Sequence, residues 1–279
     1  MKESLEQLIG MTLNKIVVTG AKGYIGSNLK NFVDNSEYRE RFNWKFFCKE
    51  ELNILDYEKV LEALHGADLI INLACLDNKR SCSDGLLSLK VNTFGAETIY
   101  RAVIKKKIKV IQFSTSEVLN FINSTGFHSS DRLNYARHKY LSEELLLKMM
   151  SKDQYKIVRL FATYGGLNSK SVVDIFKNKA SKGEMCNVIN PHTTRDFVHI
   201  EDVCSFVFHI LENWDKYENI INFGTGKQTS LSAILDILGQ KYKFKAEEKF
   251  ISELSFSEDL SNFVNHKVKM TNLKSYLLS

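Results

Sequence analysis

The chain has 279 residues, of which 44% are hydrophobic and 25% charged, with a formal net charge of +5. That length allows one large domain, or one domain with a small lobe, and the composition is that of an ordinary globular protein. No apolar run approaches the roughly 20 residues that span a bilayer. The five cysteines are scattered without a C-x-x-C pair and indicate neither a disulfide framework nor a zinc site.

In chain order, MKESLEQLIGM lacks the positive-then-apolar order of a signal peptide. It reads as a short amphipathic helix through Leu5, Leu8 and Ile9, and the cytoplasm is the expected location. KIVVT (15–19) is a first strand and 24–35 a first helix. WKFFC (44–48), DLIINLA (68–74), KVIQFS (109–114) and YKIVRLF (155–161) follow as strands. Helices are expected near 57–64, 87–105 and 136–148. Short apolar strands alternating with helices predict stacked βαβ units, with helices on both faces of a parallel sheet. The basic run Lys105-Lys106-Lys107-Ile108-Lys109 suits a helix C-terminus and has no interleaved aromatic residues, so nucleic acid is not an expected partner.

Beyond Tyr164 the order loosens: a helix over 172–182, RDFVHIEDV, a helix over 203–211, NIINFG (219–224) as a strand and a helix over 230–238. The predicted class is α/β, a Rossmann-type doubly wound parallel sheet with a small C-terminal lobe. The dinucleotide-binding domain takes 13–165, with 198–224 returning to it. The substrate-binding lobe takes 166–197 and 225–279.

Gly20, Gly23 and Gly26 lie where the first strand gives way to the first helix. Glycine there permits a tight turn, close approach of backbone to a pyrophosphate and close packing of helix on sheet. The N–H groups and dipole at the helix start favour an anion. A purely structural turn is the alternative. The spacing is T-G-x-x-G-x-x-G, and Tyr135-Ala136-Arg137-His138-Lys139 supplies a Y-x-x-x-K on a later helix. Residues four apart share a helix face, and an ammonium beside a phenol lowers its pKa by roughly 1–3 units from about 10. Such a phenol passes a proton to or from a sugar hydroxyl while hydride moves to or from nicotinamide. Thr115, at the end of the fourth strand, adds a hydroxyl.

Together these motifs resemble the extended branch of the short-chain dehydrogenase/reductase superfamily, the nucleotide-sugar epimerases, dehydratases and reductases. The phrases TGAKGYIG, DLIINLA, VNTFGAETI, FSTSEV, YARHKYLSEE, VRLFATYGG, TRDFVHIEDV and NFGTGK carry the likeness from Lys15 to about Lys227. The resemblance implies a catalytic set of Thr115, Tyr135 and Lys139, with Lys139 also holding the nicotinamide ribose. It implies that Gly20, Gly23, Tyr24, Ile25 and Gly26 form the phosphate loop, that Leu73 and Ala74 line the cofactor, and that Asn53 and Ile54 sit near the adenine. It further implies that Arg195 grips the diphosphate of a nucleotide-sugar substrate, a task suited to a bidentate guanidinium. Glu117 either acts on the sugar ring or holds nearby backbone or a sugar hydroxyl. A homodimer through two long helices is expected by the same analogy.

The chain also departs from these relatives. Ala162 stands where they often have asparagine, Val118-Leu119-Asn120 where they often read V-Y-G, and Ser116 where the 4,6-dehydratases of deoxythymidine-linked glucose have aspartate. No arginine follows Arg195. The second strand ends Phe47-Cys48-Lys49-Glu50, where an acidic residue usually receives the adenosine ribose of NAD. Lys49 there favours the 2′-phosphate of NADP, while Glu50 turned inward would take NAD. NADP points to a reductase that exchanges its cofactor, acting on a nucleotide-linked 4-keto-deoxysugar with Tyr135 as general acid. The alternatives are a C4 or C5 epimerase or a 4,6-dehydratase with tightly held NAD, and, in a different class, a non-enzymatic dinucleotide-binding module. The seven histidines show no metal-ligand spacing, and His199, Glu201 and Asp202 are expected to pack the lobe junction.

Overall fold

The structure, a computed structural model, describes residues 14–123, 130–250, 264–266 and 268–279. The expected N-terminal amphipathic helix lies outside the described residues.

Side chains of successive strand residues point to opposite faces, and both faces here are apolar. In β1 (Lys15–Thr19) and β3 (Leu69–Asn72), Ile16, Val18, Leu69 and Ile71 enter one core while Val17 and Ile70 enter another. The first core is closed by Leu29 and Val33 of α1 (Tyr24–Asp34), together with Val203, Val207 and Ile210 of a later helix. The second is closed by Val60 of α2 (Tyr57–Ala63), by Ile99 and Val103 of α3 (Gly95–Lys106), and by Leu146.

The six strands of the main sheet are all parallel, in the order β2-β1-β3-β4-β5-β9. Here β2 is Asn43–Phe47, β4 Lys109–Thr115, β5 Tyr155–Leu160 and β9 Ile220–Phe223. The chain moves from β1 to one side to form β2, then crosses to the other side for β3. The carboxyl ends of β1 and β3 therefore flank a topological switch point, where open α/β sheets bind ligands. Between β4 and β5 run α4 (Glu117–Ile122) and α5 (Ser130–Met149).

After β5 come β6 (Ala162–Tyr164), α6 (Val172–Ser181), β7 (Cys186–Ile189), β8 (Thr194–His199) and α7 (Ile200–Glu212). After β9 come β10 (Gln228–Ser230), α8 (Leu231–Gly239), β11 (Ala246–Lys249) and α9 (Leu273–Leu278). Two small sheets, β10-β8-β6 and β11-β7, enclose a third core around Tyr164, Phe176, Phe197 and Leu238.

Several elements differ from expectation. The helix expected over 87–105 begins at Gly95, and short helices at Asn78–Ser83 and Gly85–Ser88 and a π-turn at Leu89–Phe94 precede it. Within that turn the Asn92 side chain bonds both the N–H and the C=O of Leu76, tying the widened turn to the end of β3. RDFVHIEDV is split into β8 and the start of α7, and the His199 ring caps that helix by accepting from the N–H of Glu201. Asp202 holds Thr271 through its N–H and its hydroxyl, each at 2.8 Å, so this phrase does pin the C-terminal segment to α7. The basic run closes α3: Lys107 takes the left-handed cap at φ 55°, and Lys109 lies 4.6 Å over the Trp214 ring.

Candidate active site

β1 ends at Thr19, and the next residue turns the chain at φ +74°. A Cβ on Gly20 would stand 2.8 Å from the backbone of Leu73 and Ala74. One on Gly26 would stand 2.2 Å from the Gly20 carbonyl. The loop therefore has no room for side chains at these positions. Gly23 begins α1 with no side-chain cap and no acidic residue in the first turn, so the first N–H groups of an 11-residue helix face the loop without a negative charge beside them. These are the conditions under which a helix start takes a phosphate. The chain thus fits a dinucleotide at the switch point, with Leu73 and Ala74 forming the opposite wall.

Not every residue assigned to the cofactor reaches it by its side chain. The Tyr24 hydroxyl donates to Gly165 O at 2.7 Å, and burial pushes its pKa up to about 12. Its ring joins α1 to the turn after β6, which leaves its backbone N–H for the loop. Ile25 lines the cleft. The Ile54 side chain is buried in the core, where it closes on Gly95, while Asn53 is exposed beside it and caps Leu55 N. At the end of β2, Lys49 is exposed, and Glu50 pairs with Lys22 of the glycine loop at 3.2 Å. Hydrogen bonding from Cys48, then from backbone and Lys22, holds the Glu50 carboxyl down at about 2.

The three residues expected to be catalytic lie at or beside the carboxyl end of β4. Thr115 is its last residue, and Tyr135 stands across the cleft on α5. Lys139 lies one turn further along the helix and is buried, its Nζ donating to Phe113 O at 2.6 Å. Lys139 is held on a β4 carbonyl, and burial lowers its own pKa. Burial raises that of Tyr135, reinforced by Cys75, Glu117 and Asp77.

A buried chain of amides connects this corner to the glycine loop. Thr19 donates to Asn72 at 2.7 Å, Asn72 to Gln112 at 2.8 Å, and Gln112 to Phe113 O at 2.9 Å, the same carbonyl that receives Lys139. One turn beyond Lys139, Glu143 accepts from Ser114 at 2.5 Å and pairs with Arg159 at 2.7 Å.

Between the sheet and the small lobe lies a cavity of about 290 Å³, lined among others by Thr115, Glu117, Asn120, Tyr135, Thr163 and Arg195. Asn78 donates to Glu117 at 2.8 Å, and the Glu117 N–H bonds Thr115 Oγ1 at 3.3 Å. Arg195 sits on β8 opposite Thr229 of β10, and its guanidinium donates to Thr194 O at 2.8 Å. Neighbouring Asp196 anchors the turn after β9 through Thr225 and Gly226. Thr115, Tyr135, Glu117 and Arg195 therefore share one cleft, while Lys139 lies behind it.

The profile of the NAD dependent epimerase/dehydratase family matches residues 16–224, from β1 to the end of β9. The chain belongs to this family. Its cofactor is accordingly NAD(P), and its chemistry that of the extended short-chain dehydrogenase/reductase enzymes. UDP-glucose 4-epimerase of Rickettsia canadensis (strain McKiel) is 23% identical over 278 residues, covering 88% of this chain and 79% of the relative. GDP-6-deoxy-D-talose 4-dehydrogenase of Aggregatibacter actinomycetemcomitans is 25% identical over 277 residues, covering 93% and 90%. The crystal structure of dTDP-4-dehydrorhamnose reductase from Bacillus anthracis str. Ames in complex with NADP superposes with a TM-score of 0.74 at 16% identity, over 95% of this chain and 97% of that one, and shows a shared fold. Among the described residues no helix is long and apolar enough to cross a membrane.

Sequence reading missed Asn72, Gln112, Glu143 and Asn78. Nothing in a strand such as DLIINLA distinguishes an asparagine that bonds across the sheet from one at a strand end. Glu143 was more accessible, since it continues the spacing Tyr135, Lys139 by four further residues on the same helix face.

Proposed function

We propose that the protein is a 4-ketoreductase acting on a nucleotide-linked 4-keto-deoxysugar. The observation that carries this reading is that the Tyr135 phenol and the Thr115 hydroxyl line one cleft with Arg195, and burial, which raises the phenol's pKa, favours its proton-donating form. A protonated phenol is a donor, and reduction of a ketone needs a donor at the carbonyl oxygen. Lys49, exposed at the end of β2, supports NADP by offering a cation for a 2′-phosphate. The likeness to a 4-dehydrogenase of a GDP-linked 6-deoxysugar supports chemistry at C4.

A reduced nicotinamide dinucleotide bound at the switch point would supply hydride for the keto carbon. Gly20, Gly23 and Gly26 would hold its pyrophosphate, Leu73 and Ala74 the opposite side, and Lys139 the ribose. Arg195 neutralises the substrate diphosphate and sets the sugar's depth in the cleft. Thr115 donates a hydrogen bond to the carbonyl oxygen, and Tyr135 transfers its proton there, so that ketone, hydride and proton give the alcohol. The phenolate left behind is stabilised by the Lys139 ammonium until solvent returns the proton. Glu117, held by Asn78, positions a sugar hydroxyl.

A C4 epimerase is the second reading, favoured by the Glu50 carboxylate near the glycine loop and by the likeness to UDP-glucose 4-epimerase. Mass spectrometry of the dinucleotide released from gently purified protein separates the two. An empty site that binds NADPH more tightly than NADH fits the reductase; near-stoichiometric retained NAD fits the epimerase. In either case Tyr135→Phe is expected to abolish turnover and leave dinucleotide binding intact, and near-normal activity in that variant would remove Tyr135 from the chemistry.

A further inference from the structure

Asn120 lies on α4, one helical turn beyond Glu117, and its side chain forms part of the wall of the substrate cavity. It is 1% exposed, and neither its Nδ2 nor its Oδ1 has a hydrogen-bond partner among the described residues. A carboxamide offers two donors and an acceptor, and buried groups of this kind are nearly always paired, because an unpaired one forfeits its bonds to water. No core function accounts for it. An aliphatic side chain of the same size would fill the position without that loss. What the position does have is the cavity, with Glu117 and Thr115 on one side and Ala162 and Thr163 among the other lining residues.

We propose that Asn120 is a substrate-binding residue that reads the sugar ring, its amide donating to one ring hydroxyl and accepting from its neighbour. This rests on the reading of the cleft as a nucleotide-sugar site. Thr115 ends β4 and Glu117 begins α4, where that reading places the reacting sugar, whereas Arg195 stands on β8 of the small lobe. A residue on the α4 wall therefore meets the sugar and not the nucleotide. In the free protein the two amide atoms are turned beneath the cavity surface. Seating a hydroxyl against them requires the side chain to turn toward the cavity, and no hydrogen bond has to break for it to do so. A pair of adjacent hydroxyls satisfies both ends of the amide at once, and a sugar lacking one of them leaves half of it unpaired, which is how buried polar groups discriminate between substrates.

The test compares wild type with Asn120→Leu and Asn120→Ala by calorimetric titration, using UDP-glucose, dTDP-glucose and GDP-mannose as probes and the matching free nucleoside diphosphates as controls. Thermal midpoint and NADPH affinity are measured on the same samples. The expected result is a leucine variant with an unchanged or higher midpoint and unchanged NADPH and nucleotide affinity, whose best nucleotide-sugar binds about 10- to 100-fold more weakly. The alanine variant should show the same loss of sugar affinity whether or not leucine is accommodated. Variants that bind the nucleotide-sugar as wild type does would overturn the proposal while leaving the site reading in place. So would a lowered midpoint with parallel loss of sugar and nucleotide, which marks a structural residue. Wild type that binds the free nucleotides and their sugars equally, or binds neither, would overturn the site reading and this proposal with it.

Discussion

Lys139 donates from Nζ to the carbonyl of Phe113 at 2.6 Å, which fixes to β4 the lysine that lies one turn beyond Tyr135 on α5. Spacing alone brings Tyr135 and Lys139 together; the sheet then claims the ammonium. The same carbonyl accepts from Gln112, so the lysine is anchored to the amide chain that runs back to Thr19 at the glycine loop. The cofactor loop and the proton-transfer corner are thereby parts of one buried polar structure, and such structures fix geometry only when each member is satisfied.

The first prediction concerns pH. In the proposed reduction Tyr135 acts as an acid, so its active form is the protonated one, and a pKa raised above about 10 keeps that form present through neutral and mildly alkaline solution. Lys139 shifts the other way: burial favours its neutral amine, so it loses its charge at lower pH than a free lysine. The value of kcat/KM for reduction should be level around neutrality, with its first alkaline fall belonging to Lys139. Lys139→Arg, which stays charged, should move that fall upward. A limb near neutrality that persists in Lys139→Arg would show a depressed phenol instead.

Gly26 tests the cradle. A methyl group there meets the Gly20 carbonyl at 2.2 Å and Ala21 Cα at 2.9 Å, both backbone atoms that cannot rotate away, so α1 must shift off the loop. Gly26→Ala should destabilise the protein by about 1–3 kcal/mol through overpacking. Its dinucleotide affinity should fall more steeply than that, which fluorescence titration with NADPH would measure.

Cofactor choice turns on the end of β2. Lys49→Ala should weaken NADPH by about 10-fold with little effect on NADH, the loss of one charge-assisted contact to a phosphate. Glu50→Ala should favour NADPH, because it removes the carboxylate that pairs with Lys22 beside the loop. Dissociation constants of NADPH and NADH, from fluorescence titration of each variant, give both numbers.

Glu117 distinguishes a positioning carboxylate from an acid–base one. Asn78 holds it, and it neighbours rather than replaces the Thr115 and Tyr135 pair. Glu117→Gln should keep that hydrogen bond and raise KM while kcat falls less than about 10-fold, compared with the 10²–10⁴-fold expected of a proton-transfer group. A kcat loss in the higher range with KM unchanged would place Glu117 in the chemistry.

Much of this was legible in the chain. The β-branched run before Gly20, the alternation of short apolar strands with helices and the phrase Y-x-x-x-K specify the sheet, its cradle and the residues at its edge through local spacing alone. What could not be read depends on partners distant in sequence. The direction of the Tyr135 shift follows from burial in the folded cleft, and then from Cys75, Glu117 and Asp77 converging in space. The burial of Ile54 follows from Gly95, and the role of Tyr24 from the turn at Gly165. None of the small-lobe strands was read: β6 and β10 have three residues each and β7 and β11 four, too few for an alternation to show, and β8 runs directly into α7 inside RDFVHIEDV.

The most direct measurement is the fate of deuterium from NADPH labelled at the transferable nicotinamide position, incubated with deoxythymidine-linked 4-keto-6-deoxyglucose and its UDP and GDP counterparts. The account predicts that one of the three is reduced, with deuterium at C4 of the product and one NADP formed for each sugar consumed. Interconversion of UDP-glucose and UDP-galactose by protein that retains NAD, with no deuterium entering any sugar, would contradict it.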